Sequence, residues 1–549
     1  MMKLDNMLKM KRLILIITAL AIAFPSFGKN LKCDVCVYGG TAGGVMAAVQ
    51  AARMGGSVVL VSESAHVGGM ATSGLTATDI NKHLAVGGLA EEFYREIYSY
   101  YMNDSAWRNQ TRDEFMESTK KRTFSGKNDE RKMQWVYESG VGEDIMRRML
   151  ADAGVRVVYG HRIDGPEAVS KRGTAIRSLK FPDGLSVRAA VFIDASYEGD
   201  LMAFAGVSCV TGREGVEEYG ERLAGIRNHV MLGVSPLKDD GTLIAGVLPE
   251  RGYGEFGSAD GRTQAYCYRV TLTDDHENMI PFTEPSGYNP DDHELLLRRI
   301  LSGEKKELKD IITFTPMPNR KTDTNHLDCI GASHDYPLGD WTLRDSIALA
   351  HRRYAEGVLW FLGHDPRVPE AMRIEMNRWG WAADEYADNG NFPFQLYVRE
   401  CRRMVGKYVM TQADVQGKRG DAASSAIGLG SYALDCHFVN YVAVSDSVMI
   451  EGGMFVGTKP YPVAYGTILP KEEECTNLLV PVCMSASHVA YSSLRMEPVY
   501  MVLGQSAAIA AVLSLRAHCA PQALGYGQLR EALLGAGQIL EYGKQPSGK

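Results

Sequence analysis

The stretch from Val35 to Glu63 constrains the fold more than any other. It runs from a short apolar strand (Val35, Val37) through a glycine-rich turn and an alanine-rich helix to a second strand, Val58 to Val61, and a terminal acid. The turn reads Gly39-Gly40-Thr41-Ala42-Gly43-Gly44, and the helix behind it, Val45 to Met54, carries Ala47, Ala48, Ala51 and Ala52. Small residues let the helix lie close to the strand. The glycines let main-chain N–H groups approach a pyrophosphate at the helix N-terminus, where the dipole favours negative charge. Glu63 lies 19 residues beyond Gly44, where a carboxylate can accept both hydroxyls of an adenosine ribose. Thr41 stands where the G-x-G-x-x-G pattern has its middle glycine. The order strand, turn, helix, strand, acid predicts a dinucleotide site with contacts at Gly39, Thr41, Ala42, Gly44 and Glu63.

The next segment, His66 to Gly74, contains Gly68-Gly69-Met70. A Gly-Gly pair just past the acid is similar to the second signature of FAD enzymes of the glutathione-reductase type, where it packs beside the pyrophosphate and ribityl chain. Arg156 to Asp194 alternates apolar and polar residues in short runs around an Asp183-Gly184 turn, a strong hairpin signal. These runs resemble the β-meander of FAD domains. The buried run Val191 to Ser196 leads into Tyr197-Glu198-Gly199-Asp200-Leu201-Met202-Ala203, which resembles a stretch of flavoproteins related to fumarate reductase. Near the C-terminus, Asn477 to Cys483 reads as another buried strand, and Arg495-Met496-Glu497-Pro498 leads into Leu503 to Ala511. That last run resembles a closing flavin motif in which a Gly-Gln helix N-terminus faces the pyrimidine edge of the isoalloxazine.

Together these motifs resemble the FAD-dependent oxidoreductase family of secreted bacterial flavoproteins, over essentially the whole mature chain. The resemblance implies FAD, with further contacts at Gly68, Gly69, Met70, Val157, Ala195, Ser196, Gly504, Gln505 and Ser506. It implies an α/β fold: a Rossmann-like FAD-binding domain with a β-meander, plus an inserted α+β substrate domain.

At 549 residues the chain is long enough for two or more domains. The expected division is a signal peptide at 1–28, FAD-binding parts at 31–210 and 435–520, an inserted substrate or cap domain at 211–434 and a C-terminal extension at 521–549. Lys9, Lys11 and Arg12 precede the apolar run Leu13 to Phe24, and Pro25-Ser26-Phe27-Gly28 supplies small residues before a cut at Lys29. This is the pattern of a cleavable export signal. Its apolar run spans about 18 Å as a helix against a hydrocarbon core of roughly 30 Å, so the expectation is a periplasmic protein without a stable membrane anchor. A net charge of −7 with no basic block argues against nucleic acid. Cys33 and Cys36 differ by three in a strand, which sends them to opposite faces, and packing is the expected role. The 13 histidines do not cluster and no H-E-x-x-H or paired C-x-x-C occurs, so no metal is expected.

Apolar spacing predicts helices over Asp292 to Lys309, Trp341 to Leu362 and Phe394 to Met410. Tyr101 to Arg131 reads as an exposed, polar helical excursion, and loops are expected at Gly252 to Gly254 and Pro316 to Asn319. Three clusters are candidates for chemistry. His488, in Ser485-Ala486-Ser487-His488, is a side chain able to move protons near neutral pH, or else a histidine that fixes its loop. The run Asn319 to His326 crowds cations, amides, an acid and a histidine into a loop suited to a polyhydroxylated or carboxylated substrate, with Asn325 and His326 as contacts. On the expected helix, Arg399, Arg402 and Arg403 share a face and can clamp a carboxylate, with Arg399 favoured for function and Arg402 for bracing.

The expected function is FAD-dependent hydride transfer between a small polar organic substrate, sugar-derived or a hydroxy- or keto-acid, and flavin N5, with an electron acceptor that no motif identifies. The alternative is a polysaccharide-processing lyase or hydrolase with structural or non-redox FAD.

Overall fold

The computed structural model describes residues 30–119, 127–128, 131–227, 229–251 and 253–543. The expected export signal lies outside them. The main sheet starts with β1 (Asn30–Tyr38), which enters the glycine turn and α1 (Ala42–Arg53), and returns as β2 (Val58–Val61). α2 (Gly88–Tyr101) and α3 (Ser139–Asp152) form the crossover to β3 (Arg156–Val158), and β4 (Val169–Arg172), β5 (Ala175–Lys180) and β6 (Ser186–Asp194) follow. The strand order is β3-β2-β1-β6-β5-β4. β1 is parallel to β2 and β6, and β2 to β3, whereas β4, β5 and β6 form an antiparallel meander. The run at 155–159 therefore belongs to the parallel sheet rather than to the meander. The hairpin turns at Asp183-Gly184, where Gly184 N–H donates to Phe181 O at 2.9 Å.

β6 has two partners on one edge. Its first half pairs β5, while Phe192 and Ile193 pair β13 (Leu478–Leu479). The C-terminal part of the chain thus completes the parallel sheet at the tip of β6, beside the glycine turn. Strand alternation divides the core: Val35 and Val37 face the cluster formed with α1 and the late helices, and Cys36 and Tyr38 face a smaller one. Cys33 joins Cys36 in that smaller cluster, so the two thiols do not end on opposite sides of the core, and both are unpaired.

α6 (Glu497–Arg516) packs on α1. It is long and apolar enough to cross a membrane by length and composition, but it is buried along nearly its whole length as a core helix. The crossing is tight enough that a Cβ on Gly504 would lie 2.0 Å from Gly43 O.

A second, antiparallel sheet of order β8-β11-β7-β10-β9 is built from β7 (Val270–Thr273), β8 (Met279–Ile280), β9 (Thr313–Met317), β10 (Lys321–Asn325) and β11 (Gly380–Ala382). The long α4 (Trp341–His364) is interposed between β10 and β11 in the chain. A four-stranded sheet joins Val230–Met231 and Val247–Pro249 to Asn440–Val444 and Ser447–Glu451, so residues on both sides of position 434/435 share it.

Three local expectations are corrected. The helix in 292–309 is confined to Glu294–Leu301, after a 3-10 turn. In the 101–131 stretch the described residues hold the short helix Arg112–Thr119, whose Phe115 is fully buried. Phe394 to Met410 is not helical: it is an irregular run containing the two-residue strand Arg403–Met404, paired with Cys209–Val210. Arg399, Glu400, Arg402 and Arg403 are all buried there. Each has an ion-pair partner from another segment: Asp328, His488, Asp200 and Glu214.

Candidate functional site

Thr41 explains the departure from the glycine pattern. Its hydroxyl donates to Ala195 O at 2.7 Å and accepts from Gly44 N–H at 3.1 Å, which caps α1 and ties it to the end of β6. The first-turn N–H groups of Ala42 and Gly43 remain, at the positive end of the helix dipole, for a diphosphate. Gly39 has φ +112°, and a Cβ there would lie 2.4 Å from Ala195 C, so both chain ends meet only because no side chain intervenes. The second glycine segment is bound to the first: Gly68 N–H donates to Gly40 O at 2.7 Å.

Glu63 is the strongest sign of a ligand. Its Oε2 accepts a long 3.4 Å bond from Gly40 N–H, while Oε1 is buried with no partner. A buried, unsatisfied carboxylate oxygen is costly, and two ribose hydroxyls are suited to satisfy it. Burial, with the charge of nearby Glu198, pushes the Glu63 carboxyl up to about 8. Arg162, Glu198, Tyr336, Trp341 and Arg344 line the cleft beside it. The Trp341 indole lies under the guanidinium groups of Arg162 at 4.2 Å and Arg344 at 4.9 Å.

The acid of Glu198-Gly199-Asp200 braces this cleft. Asp200 takes Arg344 through both oxygens, at 2.6 and 3.0 Å, and Arg402 at 2.6 Å. Asp194, at the tip of β6, accepts from Ser196 Oγ at 2.6 Å and Met202 N–H at 2.8 Å. Ser196 Oγ also accepts from Gly199 N–H, so the hydroxyl of Ser196 is spent on the turn. Val157, in β3, the edge strand of the sheet, pairs with Leu60.

Gly504, Gln505 and Ser506 lie well inside α6 and not at a helix N-terminus. Gln505 accepts from Leu89 N–H at 2.9 Å and donates to Gln50 at 2.9 Å, and Ser506 donates to Ile427 O at 2.6 Å. Gly504 and Gln505 meet α1 at Gly43 and Gln50, whereas Ser506 faces Ile427 and Gln538. The actual N-terminus of α6 is Glu497-Pro498, preceded by Arg495 and Met496. Tyr197 joins it to the second glycine segment: its hydroxyl accepts from Met70 N–H at 2.9 Å and donates to Glu497 Oε1 at 2.7 Å. Burial pushes the Glu497 carboxyl up to about 8.

Around this N-terminus the chain gathers charged residues from distant segments. Arg495 donates to Tyr397 Oη at 2.9 Å and to Asp435 O at 2.7 Å. Asp435 belongs to β12 (Leu434–Cys436). His488, the first residue of α5 (His488–Leu494), is buried between Glu400, 2.9 Å from Nδ1, and Cys436 Sγ, 3.6 Å from Nε2. Burial opposes its cation, but the Glu400 charge prevails and the imidazolium is pushed up to about 10. Glu400 correspondingly falls to about 2, because the charges of His488 and Arg403 outweigh burial. Glu400 thus favours the cationic form of His488.

Arg399 sits over the Tyr397 ring at 4.6 Å, donates to Ala265 O and lies 2.9 Å from Asp328 Oδ1. Asp328 Oδ2 is 2.6 Å from His437 Nδ1. His326, close enough to Asp328 and His437 to feel their charge, is exposed at the end of β10 with φ +72°; its N–H donates to Asn325 Oδ1 at 2.8 Å and its Nδ1 meets Thr313 Oγ1 at 3.0 Å. The rest of the 319–326 run is not an open loop. Lys321 to Thr324 are buried in β10, where Lys321 holds Glu138, Asp384 and Glu385 and Asp323 holds Arg269.

Sequence reasoning missed Asp328 and His437 altogether. They are 109 residues apart and neither sits in a spaced motif. Tyr197 and Glu497 lie inside motifs already noted, although nothing local marks them as partners.

The fold and the glycine turn define a Rossmann-like, dinucleotide-binding protein of mixed α/β content. The pattern of the FAD dependent oxidoreductase family matches residues 34–533, and the chain belongs to that family. It is an FAD-dependent oxidoreductase, and Glu63 and the glycine turn fit the adenosine and diphosphate of that cofactor. No curated protein matches the chain. Among solved structures it is similar to an anhydrotetracycline hydroxylase from Streptomyces rimosus (12% identity, 37% of this chain and 42% of that one, TM-score 0.21). It is also similar to an L-amino acid deaminase from Proteus vulgaris (16%, 35% and 53%, TM-score 0.24). A geranylgeranyl bacteriochlorophyll reductase-like protein from Thermoplasma acidophilum matches over 93% of this chain and 85% of its own, at 11% identity and TM-score 0.37. The match spans about half the length of the first two, and likenesses this distant carry no argument about substrate.

Proposed function

We propose that this enzyme oxidises or reduces a small, oxygen-rich organic compound, a sugar-derived or a hydroxy- or keto-acid substrate, against an electron acceptor of unknown identity. One observation carries the substrate class: Nε of Arg399 and Nε of Arg495 are buried donors that lack an acceptor among the described residues. A buried unpaired donor costs about 1–3 kcal/mol, and hydroxyl, carbonyl or carboxylate oxygens of a ligand would remove that cost.

In this reading the N–H groups of Ala42 and Gly43 hold the FAD diphosphate and Glu63 the ribose. Gly39, Thr41, Gly44 and Ala195 shape that turn, and Gly68, Gly69 and Met70 back the ribityl chain. Bound FAD supplies two-electron, hydride-level redox chemistry. Arg399 and Arg495 orient substrate oxygens, His488 contributes positive charge, and Asn325 and His326 form an outer, solvent-facing wall. Residues 211–434 act as an inserted substrate domain over this wall, with 31–210 and 435–520 supplying the cofactor site and 521–549 an extension. Residues 1–28 direct export, so the protein works in the periplasm without a stable membrane anchor or nucleic-acid partner.

Anaerobic mixing with hydroxy acids and sugar-derived alcohols tests this. The expected result is bleaching of the oxidised flavin by at least one of them. Turnover of a polysaccharide with an unchanged flavin spectrum would instead support lyase or hydrolase chemistry.

A further inference from the structure

Asp328 and His437 have no role in the chemistry described so far, yet they form an oriented acid–base pair. His437 follows β12, and its main-chain N–H donates to Gln264 Oε1 at 3.1 Å, which fixes the backbone. Its Nδ1 lies 2.6 Å from Asp328 Oδ2, and the other Asp328 oxygen lies 2.9 Å from the Arg399 guanidinium. Burial works against an ionised Asp328, but the Arg399 and His437 charges prevail and hold the carboxyl well below the usual carboxylate range. An ionised acceptor at Nδ1 selects the tautomer that carries its proton there, so the Nε2 lone pair is available. No hydrogen bond from a described residue reaches Nε2, and the side chain keeps 15% of its exposure. His488 differs on each count, being buried with both nitrogens engaged.

The pair also sits against the rest of the site. Cys436, which precedes His437, touches His488, and Asp435 O takes Arg495 at the N-terminus of α6. The charged and titratable groups facing the pair are Arg399, His326, Cys267, Cys329, His351, Tyr354 and Tyr441, with Arg269 beside His326 and Asp435 on the strand before His437.

We propose that His437, oriented by Asp328, is the proton acceptor for a hydroxyl-bearing substrate, and that Arg399, whose Nε meets substrate oxygens, also holds Asp328 in place through its other end. This rests on the substrate class proposed above. In the step, the substrate O–H bond breaks and its proton goes to His437 Nε2. The hydrogen on the same carbon leaves with its electron pair to the oxidised flavin, and a C=O bond forms. The resulting imidazolium is paired with Asp328 until the exposed edge of the ring returns the proton to water.

The test is anaerobic flavin bleaching by glycolate, gluconate, glucose and galactose, each followed between about pH 5 and 9 with FAD-loaded full-length protein. His437→Gln is expected to bleach at least about 100-fold more slowly with the flavin spectrum and FAD content unchanged. Asp328→Asn removes the acceptor that fixes the Nδ1 proton and is expected to slow bleaching about 10-fold or more at unchanged FAD content, with Asp328→Glu restoring part of the rate. A purely structural residue would lower FAD content together with the rate.

If none of the four compounds bleaches the wild type, the substrate class fails. The pair is then decided by diethyl pyrocarbonate, with modified peptides identified by mass spectrometry. His437 should be carbethoxylated in the wild type, and faster than His488, whose two ring nitrogens are both engaged. Bleaching of His437→Gln at the wild-type rate, or a His437 inert to the reagent, overturns the proposal.

Discussion

Replacing Glu63 by glutamine is expected to raise the FAD dissociation constant about 10- to 100-fold, the loss of one charge-assisted hydrogen-bonding carboxylate worth roughly 1.5–3 kcal/mol. The wild type should also bind FAD less tightly as pH falls. The sign follows from the protonation states. Without cofactor, burial and the Glu198 charge push the Glu63 carboxyl up to about 8. Ribose hydroxyls donate to the ionised form, so binding expels a proton, and affinity falls by up to about tenfold per pH unit below that value. Glutamine removes the titration. Fluorescence titration of FAD at several pH values should give a sloping profile for the wild type and a flatter one for Glu63→Gln. Equal affinities, or parallel slopes, would show that the carboxylate does not meet the ribose.

The second large effect is expected at Asp200. Two buried guanidinium groups, Arg344 and Arg402, converge on this one carboxylate, and Arg344 belongs to α4 while Asp200 follows β6. Asp200→Asn leaves two buried cations short of a counter-charge, and breaking such a pair costs about 3–5 kcal/mol. The urea midpoint should drop accordingly. Glu92→Ala is the control: its pair with Arg53 is exposed on both sides, and a surface pair contributes roughly 0–1 kcal/mol. Similar midpoints for the two variants would mean that Asp200 does not join α4 to the cofactor-binding sheet.

Residues 35–63 were readable because the signals that set their strands, helix and turn are local. Alternation sets the strands, small residues set the helix approach, and a positive φ at Gly39 sets the turn. The role of Thr41 was not, because its hydroxyl meets Ala195, 154 residues away. Residues 394–410 misled for the opposite reason. Their apolar spacing matches a helical period, but Arg399, Glu400, Arg402 and Arg403 are buried against partners from four other segments, Asp328, His488, Asp200 and Glu214, which no local pattern reveals. Gly504, Gln505 and Ser506 were expected at a helix N-terminus facing the flavin, yet they lie inside α6, where Gly504 marks its close crossing on α1. The Asp328–His437 pair has no local signature at all, since only the tertiary fold brings β12 against the segment after β10.

The most direct measurement is the absorbance spectrum of the purified protein, taken before and after acid precipitation and compared with Glu63→Gln. Bands near about 370 and 450 nm, the usual range of oxidised flavin, are expected, with FAD released into the supernatant and far less of it carried by the variant. A colourless protein that takes up no FAD when supplied with it would show that the glycine turn and Glu63 do not form an FAD site.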